Sequence, residues 1–533
     1  MNIVEKLRKS FFKLDNVTPY LIAIAFLIVT SFVFNDYGVN IDSKKNFLEG
    51  ETNLNYLLTS QLDLKKISYQ MHGSFSFMLA EASKKLFSDR LHLLDPVRAR
   101  FLILPILISL FIVPFFYFVR NYFGLWVAFL STVSLLTFPE FVGFAYHNLK
   151  DIPLLVFFSL TLISFFKWIR TEKVKHLYLF FMLFGISLSI KLYTLVIVLI
   201  ICIVIFFSEN KFQNKIKQLA LKNKPNLFFG ALFTLCLVSI LYIPALYGIN
   251  EKNQFLSRMI SSFQYKIVGN ISKPFNYEPF MMIVYKTPIL MLFFTSIGLA
   301  YVLKKRKREI FLFLLIWVLI PPLLPCLPRV CLYLNGIRMF LIFLVPFSII
   351  AALGVKRVYA FLVNKYNLNR LVVKTVLSVI LLSGNLAADY LMHPYENLYF
   401  NFFVDGLKGA QEKGMHDSCD YWFLSFKEAT VWLNKNAQKD ASLYFVYGTG
   451  LIEPIEMYNS FELYEKREDL KCNRAVSFID LRDAPKNSYI VYVPCPYQKY
   501  LKDRNALGNT QIYKEIRKVT RQGGEISIIY YKK

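Results

Sequence analysis

The feature that most constrains this chain is a succession of long apolar runs separated by short basic clusters. At roughly 20 residues per span, about eleven of them are long enough, or nearly so, to cross a bilayer. They lie at approximately 19–35, 100–119, 122–138, 152–169, 177–190, 192–208, 227–247, 284–303, 310–326, 337–353 and 372–391. The first is free of charge from Tyr20 to Phe34. The fifth and sixth are short and divided by Lys191, so they can also be read as one kinked element. With 533 residues, 55% of them hydrophobic, and a mean hydropathy of +0.42, the composition excludes an ordinary soluble enzyme.

The formal net charge of +26 would point to nucleic acid in a soluble protein. Here the cations gather in every second loop, so no nucleic-acid partner is expected. The clusters are Lys167, Arg170, Lys173 and Lys175; then Lys211, Lys215, Lys217, Lys222 and Lys224; then Lys304 to Arg308; and finally Lys356, Arg357, Lys365 and Arg370. The intervening loops carry few, among them Lys150, Lys191 and Arg329. Lys and Arg mark the cytoplasmic side of a membrane protein. This orients the chain as a multi-pass protein of the inner or plasma membrane. The short basic N-terminus (Lys6, Arg8, Lys9, Lys13) is cytoplasmic and acts as a signal anchor, since no small-x-small cleavage site follows Phe34. Segment 36–99, loop 248–283 and the tail from about 392 then face outside. Seven cysteines show no CxxC or Cys/His spacing, so zinc is not expected. Cys419, Cys472 and Cys495 allow at most one disulfide in the tail, its pairing open.

Within 36–99, residues Phe75 to Phe87 read as an amphipathic helix, with Glu81, Lys84 and Lys85 on the polar side. Such a helix lies in the membrane interface or packs on the membrane domain. The chain divides into a membrane domain, 1–391, and a small outer α/β domain, 392–533. In the latter, Ser442–Tyr447, Ser488–Val493 and Ile526–Tyr531 are β-like, and Lys427–Asn436 and Tyr497–Arg504 are helical. The tail has neither a Gly-rich phosphate loop nor a triad, so support or acceptor contact is expected of it.

Two outer loops carry the candidate chemistry. The stretch Phe34-Asn35-Asp36-Tyr37-Gly38-Val39-Asn40-Ile41-Asp42-Ser43 places two carboxylates just past the first span. Between the third and fourth spans, Pro139 to Pro153 holds His147, Lys150 and Asp151 within five residues. Ionisable groups at a membrane boundary are functional candidates by default. A plain alternative is that Asp151 only caps the fourth span, with Pro153 in its first turn.

The residues Asp36-Tyr37-Gly38-Val39-Asn40-Ile41-Asp42 with Gly50-Glu51, and His147-Asn148-Leu149-Lys150-Asp151-Ile152-Pro153, resemble the first and second outer loops of bacterial membrane glycosyltransferases of the protein O-mannosyltransferase type, with the GT-C fold. Lys286-Thr287-Pro288, Asn335-Gly336-Ile337-Arg338, and in the tail His393-Pro394-Tyr395, Tyr399-Phe400-Asn401, Asp420-Tyr421-Trp422 and Trp432-Leu433-Asn434 fit the same group. The resemblance implies transfer of a sugar from a polyprenyl-phosphate donor to a protein, lipid or glycan acceptor at the outer face, among membrane lipids. Such a reaction needs a carboxylate within reach of the acceptor hydroxyl and fixed positive charge for the departing phosphate. Asp42 falls on the first acidic position of the family's Asp-Glu pair, while Ser43 replaces the Glu. Asp42, with Asp151, is therefore the candidate catalytic carboxylate. Lys150, Arg338 and His147 are the candidate phosphate ligands, and Asp36 either shares the role of Asp42 or is a solvated loop carboxylate. Neither loop holds a DxD pair, so the expectation is a metal-independent reaction without cofactor. A secondary transporter or an inactive scaffold of the same fold are the rival classes; no clear internal repeat supports the first, and only Ser43 supports the second.

Overall fold

The structure, a computed structural model, describes residues 3–60, 73–247, 275–327, 336–447, 464, 466–473, 484–495 and 512–533. The tail helix expected at 497–504, the loop 248–274, and Arg329, Cys331 and Asn335 lie outside the described residues.

All eleven apolar runs are helical. In chain order the helices are α1 (Ile3–Val33), α2 (Ser43–Thr59), α3 (Phe75–Lys84), α4 (Pro96–Phe101), α5 (Ile103–Phe123), α6 (Leu125–Leu136), α7 (Pro139–Ala145), α8 (Asp151–Thr171), α9 (Val174–Leu188), α10 (Val196–Phe207), α11 (Asn210–Lys222) and α12 (Lys224–Tyr247). They continue with α13 (Glu278–Lys286), α14 (Ile289–Lys304), α15 (Glu309–Leu323), α16 (Leu344–Tyr366), α17 (Arg370–Met392), α18 (Gly406–Glu412) and α19 (Phe426–Asn436). Among the described residues, 7 helical stretches are long and apolar enough to cross a membrane, and an eighth arises if α6 and α7, bent by 60°, form one broken span. α9, α14 and the 3-10-led stretch Leu192–Phe207 are apolar but shorter. The chain is thus a multi-pass membrane protein. Lys191 does not kink one helix; it separates α9 from a 3-10 turn, Leu192–Leu195, that leads into α10.

Local chemistry sets the helix boundaries. Asp95 caps α4 by accepting hydrogen bonds from the Val97 and Arg98 amides, both at 3.0 Å, with Pro96 at the first position. Asn369 caps α17 in the same way, through the amides of Leu371 (2.9 Å) and Val372 (3.2 Å). Gly124, with φ +95°, breaks the chain between α5 and α6. α8 and α16 are the most enclosed spans, whereas α1, α12 and α17 leave most of their surface to lipid. α14 and α16 cross in backbone contact: a Cβ on Gly298 would lie 1.9 Å from the Ile350 carbonyl oxygen, and one on Gly354 1.8 Å from that of Phe294. In lipid, where apolar faces gain little by leaving the solvent, such small-residue crossings supply the packing.

α3 departs from the amphipathic reading. Phe77 and Ala80 join the main core, yet Glu81 is also buried, paired with Arg100 (Oε2 to Nη2, 2.7 Å). Glu81 on the polar side of this helix thus meets a neighbouring segment of the same chain rather than solvent, and the helix widens into a π turn from Lys85 to Arg90.

Beyond Met392 the chain builds a five-stranded sheet from β1 (Ser442–Tyr447), β2 (Lys471–Asn473), β3 (Ser488–Val493), β4 (Tyr513–Arg521) and β5 (Gly524–Lys532), in the order β2-β1-β3-β5-β4. β1 runs parallel to β2 and β3, while β5 pairs antiparallel with β3 and β4. Alternation splits the two faces. Leu443, Phe445, Val491, Ile526 and Ile529 face α19 and the main core, with the rings of Phe426 and Phe445 4.8 Å apart. Ile490, Tyr492, Tyr513, Ile528 and Tyr530 form a small cluster of their own. A disulfide joins Cys419, ahead of α19, to Cys495, just past β3.

Candidate active site

The segment from Asn35 to Asp42 leaves α1 and runs beneath the tail. A Cβ on Gly38 would meet the Leu424 carbonyl oxygen at 2.2 Å, so only glycine allows the loop to pass this close. The Ile41 amide donates to the Trp422 carbonyl (3.2 Å). Asn40 ties the two outer loops together: its Nδ2 donates to the His147 carbonyl (2.6 Å), and its Oδ1 accepts from the Asp42 amide (3.1 Å).

Asp42 occupies the N-cap position of α2, but its side chain makes no capping bond. It turns instead to Lys150, whose Nζ donates to Oδ2 at 3.0 Å across 108 residues of sequence. Burial works against ionisation of Asp42, yet Lys150, Arg338 and Lys45 outweigh it and hold its carboxyl below the ordinary value. One third of the Asp42 side chain stays exposed (33%), against 2% for Asp151. Accessibility and charge therefore coincide at Asp42.

Asp151 is placed otherwise. The cap of α8 is supplied by Asn148, whose Oδ1 accepts from the amides of Lys150 (3.0 Å) and Asp151 (2.9 Å). Asp151 itself is locked: Lys191 Nζ reaches Oδ1 at 2.5 Å, Asn148 Nδ2 reaches Oδ2 at 2.8 Å, and Arg338 Nη1 lies 3.6 Å from Oδ2. So the capping alternative fails in its details, and Asp151 serves as the buried counter-ion of two cations. Arg338 leads into α16 through a 3-10 stretch, with its guanidinium over the rings of Trp422 (4.4 Å) and Tyr421 (5.6 Å). Three cations, Lys150, Lys191 and Arg338, thus converge on Asp42 and Asp151, with Asp417 acting on Arg338 as well.

His147 does not take the place expected of it, and Asp36 stands as a half-exposed loop carboxylate. His147 is fully buried behind Trp422 and Phe144, with ring centroids 5.5 Å and 5.9 Å away, and its Nε2 donates to the Gly143 carbonyl (2.5 Å). Burial, and next to it Arg338, push its pKa down to about 4 against the pull of the Gly143 bond, so it is neutral and adds no charge for a phosphate. Asp36 pairs with His393: Nε2 lies 3.0 Å from Asp36 Oδ2, while Nδ1 lies 2.7 Å from Glu396 Oε1, which also accepts from the Tyr37 hydroxyl (2.8 Å). With both ring nitrogens facing carboxylates, the geometry suits the imidazolium. Burial lowers the His393 pKa, but Glu396 and Asp36 together raise it above its ordinary value. The linkage has a definite sign: this stabilisation is complete below about 6.5, the unfolded value, and fades as pH rises through the raised folded value. Melting of wild type and His393→Asn should therefore differ most in acid and converge in alkali. Curves separated equally at both ends would remove the link.

Three residues near this site escaped the sequence reading. Lys191 signalled itself only as a lone cation in an apolar stretch. Trp422 lay in a matched motif without a role. Glu49 is buried on α2, where burial pushes its carboxyl up to about 8 against Lys150 and Lys45. The Lys286-Thr287-Pro288 motif proves to be a tie between helices and tail. Lys286 Nζ, 1% exposed, donates to Glu140 Oε2 (3.1 Å) and to the Asn397 carbonyl (2.5 Å). Among the described residues, no three His, Cys, Asp or Glu side chains converge as a metal site would require.

The chain can now be set beside known proteins. Residues 77–243 match a family model described as dolichyl-phosphate-mannose-protein mannosyltransferase. This stretch contains the Lys150 loop but not Asp42. The crystal structure of ArnT from Cupriavidus metallidurans bound to undecaprenyl phosphate superposes with a TM-score of 0.51 at 13% identity, over 95% of this chain and 97% of that one. The fold is GT-C. The resemblance to membrane glycosyltransferases of the mannosyltransferase type therefore holds. The archaeal oligosaccharyltransferase AglB from Archaeoglobus fulgidus, in complex with an inhibitory peptide and a dolichol-phosphate, is more distant: TM-score 0.46, 13% identity, 90% of this chain and 70% of that one. No curated protein sequence matches the chain. Within this GT-C chain, the two loops that resemble the family are the two joined by the Asp42–Lys150 pair.

Proposed function

We propose that the chain transfers a sugar from a polyprenyl-phosphate-linked donor to an acceptor hydroxyl at the outer face of the inner or plasma membrane. The observation that carries this reading is the partly exposed Asp42–Lys150 pair, set beside Lys191 and Arg338 at the start of α8. The match to ArnT, crystallised with undecaprenyl phosphate, supports the donor class. The basic loops on the opposite side of the helices support the orientation.

In this reading the acceptor hydroxyl attacks the anomeric carbon. The carbon–oxygen bond to the carrier phosphate breaks, and the hydroxyl proton passes to Asp42. The leaving phosphate takes the bonding pair and needs fixed positive charge, which Lys150 and Arg338 provide and Asp151 with Lys191 keeps in place. While Lys150 is bound to Asp42 the carboxylate is ionised but weakly basic. A phosphate that draws Lys150 away would raise the basicity of Asp42 as the donor arrives. The cations at the site suffice for the leaving group, so the reading invokes no metal.

The test is transfer of labelled sugar from a polyprenyl-phosphate donor by the purified protein in vesicles. Lys150→Ala should weaken donor affinity or turnover by roughly tenfold or more, on the scale of about 1.5–3 kcal/mol for a hydrogen bond to a charged group. Acceptor affinity should barely move. A folded Lys150→Ala protein with wild-type donor affinity and turnover would leave Lys150 as a cation that merely reaches for headgroups.

A further inference from the structure

The loop that carries Asp42 is gripped by the tail at four of the five residues from Tyr37 to Ile41. Lys427 Nζ donates to the Tyr37 carbonyl (3.3 Å), Gly38 lies against the Leu424 carbonyl, and the Ile41 amide donates to the Trp422 carbonyl (3.2 Å). The tightest grip is on Val39. The phenol oxygen of Tyr464 accepts from the Val39 amide (2.6 Å), and its hydroxyl donates to the Val39 carbonyl (3.1 Å), across 425 residues of sequence. Val39 is buried at 6% exposure, so one side chain satisfies both of its backbone polar groups much as a neighbouring strand would. The fifth residue, Asn40, is the one that reaches the Lys150 loop. The tail thus fixes the loop on both sides of the residue that spaces Asp42 from its cation.

We infer that Tyr464 is a positioning residue for the transfer reaction: by fixing Val39 it sets where Asp42 meets Lys150 and the acceptor hydroxyl, which makes the tail part of the active site. This rests on the reading of Asp42 as the base. Removing the phenol hydroxyl leaves a buried amide and carbonyl without partners, and the loop must move to find new ones. A displacement of about 1 Å in a positioned catalytic group costs up to about 100-fold in rate. It also lengthens the Asp42–Lys150 contact. Because that contact favours the carboxylate, loosening it shifts the titration of Asp42 to higher pH.

The experiment measures kcat, donor KM and the pH dependence of kcat for full-length Tyr464→Phe in vesicles, with thermal melting alongside. The expected result is a fall in kcat of roughly 10- to 100-fold, a donor KM close to wild type, and an acid limb moved to higher pH. Arg467→Ala is the control for a merely weakened tail. It removes bonds to the Ala437 and Gln438 carbonyls (both 2.9 Å), neither of them in the Asp42 loop, and should lower the melting temperature while leaving the limb in place. A folded Tyr464→Phe protein with the wild-type acid limb overturns the inference. Should Tyr464→Phe not fold, Lys427→Met must show the same shift at smaller size, and a wild-type limb there overturns it equally. Asp42→Asn separates the two levels: if it still transfers, the underlying reading fails, whereas if it is inactive and Tyr464→Phe keeps the wild-type limb, only the role of Tyr464 falls.

Discussion

Asp42→Asn should fold, bind the lipid donor and turn over about 10²- to 10⁴-fold more slowly, the range for loss of a general base. The substitution keeps the size and the hydrogen-bonding shape of the side chain but cannot accept the acceptor's proton. Two features of the structure keep the test interpretable. Asp42 makes no capping bond to α2, so the helix start does not depend on its charge. Its side chain is 33% exposed, so Lys150, at 12%, is not stranded in a dry interior when the carboxylate is lost. Donor affinity should hold or improve, since Lys150 is freed for the phosphate. Single-turnover transfer from labelled donor gives the rate, and a melting curve gives the fold. Near-normal transfer by a folded Asp42→Asn protein would strip Asp42 of its role.

Asp151→Ala should fail in the opposite way, through the fold. Asp151 is 1% exposed and holds Lys191 and Arg338, so its removal takes the ion-pair partner from buried Lys191 and one of several anions from Arg338. Breaking a buried pair from one side typically costs about 3–5 kcal/mol, a large part of the stability of most domains. Low yield in detergent and a much lower melting temperature are the expected readouts. Some of the loss should be recovered by Asp151→Asn, which keeps polar contacts to Lys191 and Asn148. A stable Asp151→Ala protein that binds donor normally yet transfers nothing would instead place Asp151 in the chemistry beside Asp42.

The contrast between these two carboxylates marks where the sequence could be read and where it could not. Apolar runs near 20 residues long announce helices, because a span must satisfy its own backbone and bury little else. That Asp42 and Lys150 lie near each other was legible for a different reason: each sits at a span end, on the same side by the alternation of basic loops. The roles of Asp151 and Lys191 were not. They depend on which side chain caps α8 and on the 3-10 turn after Lys191, and neither follows from local propensity. Glu81 failed for a related reason. Helical periodicity assigns polar residues to solvent, whereas here Arg100 meets Glu81 in the interior. Asp36 found its partner 357 residues away in His393, a distance at which a single sequence carries no pairing signal. Tyr464 belongs to the same class.

The Cys419–Cys495 bridge bears on the compartment. It closes a stretch of 76 residues and lies three positions from Trp422, the ring that covers Arg338. Such a bond persists where thiols are not continually reduced, which is the exported side of a cell membrane rather than the cytosol. The bridge therefore fits the outward orientation proposed for the tail, on grounds unrelated to the distribution of Lys and Arg. Under the proposed function and orientation, the Trp422 wall beside Arg338 would be completed only after export, once the tail had met an oxidant.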